Sequence, residues 1–152
     1  MLSTAVRELY KEAHKGKDHE YFMNLLPGAP KAHVKHPCTI WVMKSRGNYR
    51  WLVRHLRAMH NEYYKRYGKV HKQEGFLMIY EGQEQYLDFE TDRRTPFAQA
   101  MPDDCKDKNP VTAYRNYYNM YKFEFAKWKL GNVPSWFIGA PTYDVLLENN
   151  LN

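Results

Sequence analysis

The chain has 152 residues, a size that fits one domain with a real core, and its 43% hydrophobic and 16% aromatic content excludes a disordered chain. No run approaches the ~20 apolar residues of a membrane span and no apolar signal segment opens the sequence, so an integral helical membrane protein is excluded and a soluble, intracellular one is expected. The net charge of +6 favours an anionic partner, and two cysteines without a CxxC pairing exclude a disulfide framework or a cysteine zinc site, leaving open a single Cys38–Cys105 bridge.

Leu2, Val6, Leu9, Tyr10 and Ala13 fall on one helical face and predict a first helix, capped by Ser3 or Thr4 and ending near Gly16. A short helix is expected around His19–Leu25, before Pro27, Gly28 and Pro30 break the chain. His36-Pro37 opens the next helix, with the proline in its first turn, Ile40 and Trp41 in its body and Ser45-Arg46-Gly47 as its interruption. Asn48 is then expected to cap a long helix to Tyr67, closed by Gly68. Leu52, Leu56, Met59 and Tyr63 define its expected buried face and leave Arg50, Arg54, Arg57 and Lys65 outside it. Lys72–Tyr80 reads as a further helix, weakened by Gly75, and residues 81–107 read as an acidic, loop-rich span. Asn109-Pro110 is the clearest start signal in the chain, a cap followed by proline at the first helical position. The segment after it places Tyr114, Tyr117, Tyr118, Tyr121, Phe125 and Trp128 on one stripe, stopped by Gly131 and Pro134. Ser135-Trp136-Phe137 is expected to pack back on the bundle. No strand pattern is present, so the expected class is mainly α: a compact single-domain helical bundle with long ordered loops over 1–137, and a partly ordered tail over 138–152.

Charge is distributed in blocks. Nine Lys and Arg between Lys44 and Lys72 face a single acid, Glu62, whereas eight acids between Glu81 and Asp107 face three bases. A localised basic face is the electrostatic footprint of a nucleic-acid binder, and Arg46, Arg50, Arg54, Arg57, Lys65, Arg66, Lys69 and Lys72 are its candidate phosphate contacts. The bland alternative is a solvated helix surface. The tyrosine stripe, interleaved with Arg115, Lys122 and Lys127, has the composition of a base-stacking platform, but its one-sided spacing reads as a core face, with only its edge free to line a groove. The seven histidines show no metal-ligand spacing, and no cofactor or phosphate-loop motif occurs, so neither a metal nor a cofactor is expected. The stretch TPFAQAMPDD, Thr95–Asp104, has neither helical nor strand period. Its Phe97 and Met101 suit burial, and Gln99 between them presents an amide of the kind that reads a base edge. The alternative is a packed structural loop.

Four blocks in order, HPCTIWVMKSRGNYRWL, EYYKRYGKVHK, TPFAQAMPDDCKDKNPVTAYRNYYN and KWKLGNVPSWF, cover about residues 36–137. Together they resemble a family of small phage-encoded proteins, many from marine phages, that often carry the name pyrimidine-dimer DNA glycosylase. A further likeness to endonuclease V-type glycosylases rests on small size, helical build, basic helices and a tryptophan-containing C-terminal segment. Enzymes of that type attack the sugar with their own N-terminal amine, which has a pKa near 7.7–8 in model peptides. The present sequence departs there: Leu2 is bulky and predicts retention of Met1, and Glu8, Glu12 and Glu20 match no family motif, so no catalytic residue carries over. Met1 is read as an internal start within a longer family pattern. The resemblance implies a DNA-interacting, repair-type protein acting on double-stranded DNA in the cytoplasm of the infected host cell. Two other classes stay open. One is a non-enzymatic interaction protein that docks on a host protein or on itself. The other is a small nucleotide-acting enzyme with a pocket of His36, Trp41, Tyr67, His71 and Gln99.

Overall fold

Helix α1, Leu2–Ala13, buries Leu2, Ala5, Val6 and Leu9, the i, i+3, i+4, i+7 face that its apolar spacing dictates. The computed structural model describes residues 1–15, 30–128 and 131–139. The expected helix around His19–Leu25, the end of α1 at Gly16 and most of the tail from 138 onward lie outside them. Ser3 and Thr4 do not cap α1 as expected; Met1 occupies that position. Both lie buried inside the helix, where Thr4 Oγ1 donates to Ala32 O at 2.8 Å and accepts from Ala32 N at 3.2 Å. A hydroxyl this close to the helix start serves a distant backbone segment instead of the local one.

Helix α2, Pro37–Lys44, begins as the sequence predicts: His36 Nδ1 accepts from Cys38 N at 3.1 Å and Pro37 takes the first turn. Helix α3, Arg46–Tyr67, follows after a single extended residue, Ser45, which ends one helix and caps the next by accepting from Asn48 N at 3.2 Å. The expected interruption is therefore one residue long, and Ser45, not Asn48, is the cap. Gly47 sits inside α3 because the backbone of Asp92–Arg94 passes directly over it; a Cβ there would lie 2.5 Å from Arg94 N and 2.7 Å from Asp92 O. The helix stops at Gly68, in the left-handed conformation at φ 62, whose N–H bonds Tyr64 O at 2.7 Å.

The buried face of α3 differs from the expected one. Tyr49, Val53 and His60 point inward and Met59 is 55% exposed. Burial of Tyr49 is sealed by its hydroxyl, which donates to Tyr80 O at 2.6 Å in helix α4, Gly75–Gln83. Burial, with Glu84 and Tyr80 nearby, holds that phenol far above its usual value, so it stays a donor. Helix α1 packs on α2, α3 and α4, and α3 packs on α2 and α4. Residues 87–96 then strap the α2–α3 corner. Arg46 N donates to Thr91 O at 2.9 Å, Ser45 Oγ donates to Arg93 O, and Asn48 grips Thr95 through Nδ2 to Oγ1 at 2.8 Å and through Oδ1 from its N–H at 2.8 Å.

This first unit spans Met1–Pro96 and a second spans Phe97–Asn152, a boundary inside the 1–137 range that the sequence presents as one domain. In the second unit, helix α5, Pro110–Tyr121, starts at the predicted cap, Asn109 Oδ1 accepting from Val111 N at 2.9 Å. It ends at Tyr121 and not at Trp128, so the predicted stripe is cut short; Phe125 is 76% exposed. The residues of α5 that are buried are Ala113 and Asn119, while Tyr118 and Tyr121 are exposed, which overturns the core reading of the tyrosine stripe. Asn119 holds the returning chain by donating to Trp136 O at 3.2 Å and accepting from Ile138 N at 2.9 Å, so Trp136 and Phe137 fold back on α5 as expected. The described residues are helical with no strand, the mainly α class that the sequence predicts.

Candidate nucleic-acid interface

Paired and unpaired cations interleave among the eight candidate phosphate contacts along α3. At its start, Arg46 is bound on several sides: Nε to Asp92 at 2.9 Å, Nη1 to Glu84 O at 3.1 Å and to its carboxylate at 3.3 Å, with the guanidinium over Phe89 at 5.0 Å. Arg50 reaches the same Glu84 at 2.7 Å and Arg57 pairs with Glu81. Burial works against ionisation of Glu84, but hydrogen bonds from Arg50 and Arg46 outweigh it and hold the carboxyl below its usual 4.5. Three cations of the basic block, Arg46, Arg50 and Arg57, are thus answered by Glu81, Glu84 and Asp92 of the acidic block within the first unit. Arg66 pairs with Glu62 one turn earlier at 2.7 Å.

Arg54, Lys65, Lys69 and Lys72 are exposed and make no ion pair among the described residues. Arg54, Ala58, Asn61 and Lys65 fall at i, i+4, i+7 and i+11, one exposed stripe. Arg54 and Lys65 are eleven residues, or about 16 Å, apart along the axis. Lys69 and Lys72 continue beyond the helix end, where Tyr64 at 59%, Tyr67 at 58% and Val70 at 67% are also exposed. Lysines in the last turn also complement the helix dipole, which accounts for Lys65 without any ligand. It does not account for Lys69, Lys72 or the exposed rings. Sequence spacing marked Tyr67 but missed Tyr64, which only the true orientation of α3 turns outward.

The pocket of His36, Trp41, Tyr67, His71 and Gln99 does not assemble as a set. His36 is spent as a helix cap, and buried Trp41 packs edge-on against Trp51 at 5.8 Å near the start of α3. Tyr67 and His71 both pack on Tyr63, at 4.8 and 4.9 Å, at the far end of that helix, about 24 Å along its axis from Trp51. Gln99 belongs to the second unit, where its amide clasps Asp107, Nε2 donating to the carbonyl at 2.6 Å and Oε1 accepting from the N–H at 3.1 Å. With Tyr114 donating to Ala98 O at 2.8 Å, that clasp pins TPFAQAMPDD to α5, the structural-loop alternative. Phe97 and Met101 are only half-buried.

A cleft of about 700 Å³ in the first unit is lined by Glu8, Glu12, Asp88 and Glu90 with Lys44, of the wrong sign for a phosphate. No disulfide joins Cys38 and Cys105, and burial, with Asp104 beside it, pushes Cys105 up to about 11, far from a ready nucleophile. Among the described residues no three His, Cys, Asp or Glu gather to hold a metal ion, and no helix is long and apolar enough to cross a membrane. No family model, curated protein or solved structure matches the chain.

Proposed function

We propose that the chain binds DNA, with Arg54, Lys65, Lys69 and Lys72 on backbone phosphates and Tyr64 and Tyr67 beside them. One observation carries this reading: Lys65, Lys69 and Lys72, three of the four candidate cations with no carboxylate partner among the described residues, gather at the end of α3 and the turn after it, among exposed rings, while Arg46 and Arg50 at its start are neutralised. Cations release condensed counterions from a nucleic acid, and rings interleaved with them add stacking to unpaired bases. Phage kinship and repair chemistry enter the proposal through the four sequence blocks alone.

Fluorescence anisotropy with a labelled duplex and the matching single strand tests the reading. Four phosphate contacts give a slope of log affinity against log salt of about −3 to −4 on duplex. A slope near zero, or no binding at low salt, contradicts it. Borohydride trapping on a duplex with an abasic site or a pyrimidine dimer tests the repair chemistry. An adduct supports an amine nucleophile; salt-sensitive binding without an adduct leaves a binding protein.

A further inference from the structure

We infer that a groove on the second unit is a binding site for a nucleoside monophosphate, its base laid among aromatic rings and its phosphate on Arg115. The groove holds about 390 Å³ and is lined by Val111, Tyr114, Arg115, Tyr118, Trp128 and Trp136. That volume suits a small ligand, since binding pockets run from roughly 300 to 1,000 Å³. Four of the six lining residues are aromatic and Arg115 is the single charged one, so the walls ask for a flat ring and the one charge asks for an anion.

The walls are set before any ligand arrives. Tyr114 is fixed through its hydroxyl to Ala98 O at 2.8 Å. Trp136 is held by Asn119, which bonds its carbonyl at 3.2 Å, and Tyr118 meets its ring edge-on with centroids 6.0 Å apart. The Arg115 guanidinium lies 5.8 Å from the same ring, poised beside the aromatic surface, with no carboxylate partner among the described residues. An apolar side chain in the groove would leave Arg115 unanswered. Inorganic phosphate would leave the rings unused. A nucleotide answers both.

The inference stands on residues of α5 and the chain returning to it, and does not rest on the DNA reading. Isothermal titration of the full chain with the four deoxynucleoside monophosphates tests it, with the nucleosides, inorganic phosphate and a single-stranded trinucleotide as further arms. The expected result is sub-millimolar binding of at least one monophosphate, with its nucleoside weaker by about tenfold. Arg115→Gln should bring the monophosphate down to the nucleoside's affinity, and Tyr118→Ala should weaken both by about tenfold. Both positions are exposed, and matching circular dichroism spectra establish that the variants fold. A combined Lys65→Ala, Lys69→Ala, Lys72→Ala variant should bind the nucleotide as the parent does, separating this site from the one on α3. No monophosphate binding in the millimolar range, inorganic phosphate binding as tightly as any nucleotide, unchanged affinity in Arg115→Gln, or binding by the trinucleotide alone would each overturn the inference.

Discussion

Asn48 shows how far a single residue can be read. Its amide chemistry was legible, because asparagine near a helix start satisfies backbone groups. Its partners were not, because they lie on Trp41, at 2.7 Å, and on Thr95, far along the chain. Asn48→Ala strands Trp41 O and the Thr95 N–H in the interior, so a loss of about 2–4 kcal/mol is expected in urea unfolding, far more than an ordinary cap deletion. Gly47 makes the complementary case. Alanine for glycine inside a helix stabilises by about 0.5–1 kcal/mol. At Gly82, with nothing within 4 Å of the new methyl, Gly82→Ala should show that gain. At Gly47 the new methyl meets the rigid backbone of Asp92–Arg94, so Gly47→Ala should reverse the sign and destabilise. Equal effects at the two glycines would mean that the strap over α3 is not held in place.

The starts at Pro37 and Pro110 and the stop at Gly68 were legible at the scale of elements, because proline, cap and left-handed glycine act on the backbone within a turn. Which face a helix buries is not local. The Leu52, Met59, Tyr63 pattern is as apolar as the Tyr49, Val53, His60 one, and packing against α1, α2 and α4 decides between them. Met59→Ala should therefore change stability by less than about 0.5 kcal/mol and Val53→Ala should cost about 2 kcal/mol. The tyrosine stripe misled for a related reason: α5 ends at Tyr121, so Phe125 and Trp128 never share its face. The hub that joins α3 to the acidic segment, Glu84 with Arg46 and Arg50, left no sequence signal at all. Its carboxyl titrates below the usual 4.5 in the folded chain. Its contribution is therefore complete above the unfolded value and is lost as pH falls through the lower folded value. Glu84→Gln should cost about 1.5–3 kcal/mol at neutral pH and flatten the fall in stability on the acid side of that range, measured by urea unfolding across pH. A variant as acid-sensitive as the parent would place the titration elsewhere.

For the whole molecule, the mainly α build was readable, since no segment alternates as a strand does and several carry helical spacing. The charge blocks were readable too, but their meaning changes once the chain folds. Half of the eight candidate cations, Arg46, Arg50, Arg57 and Arg66, are answered by carboxylates. The count of basic residues in the block therefore overstates the unpaired positive surface, and the proposed interface contracts to Arg54, Lys65, Lys69 and Lys72. The most direct measurement is the salt slope of DNA binding for the Lys65→Ala, Lys69→Ala, Lys72→Ala variant beside Arg57→Gln. The predicted result is a slope shallower by about 0.9 for each lysine removed, with the slope of Arg57→Gln unchanged. A triple variant with the parent's slope, or Arg57→Gln losing as much as the lysines, would contradict an interface at the end of α3.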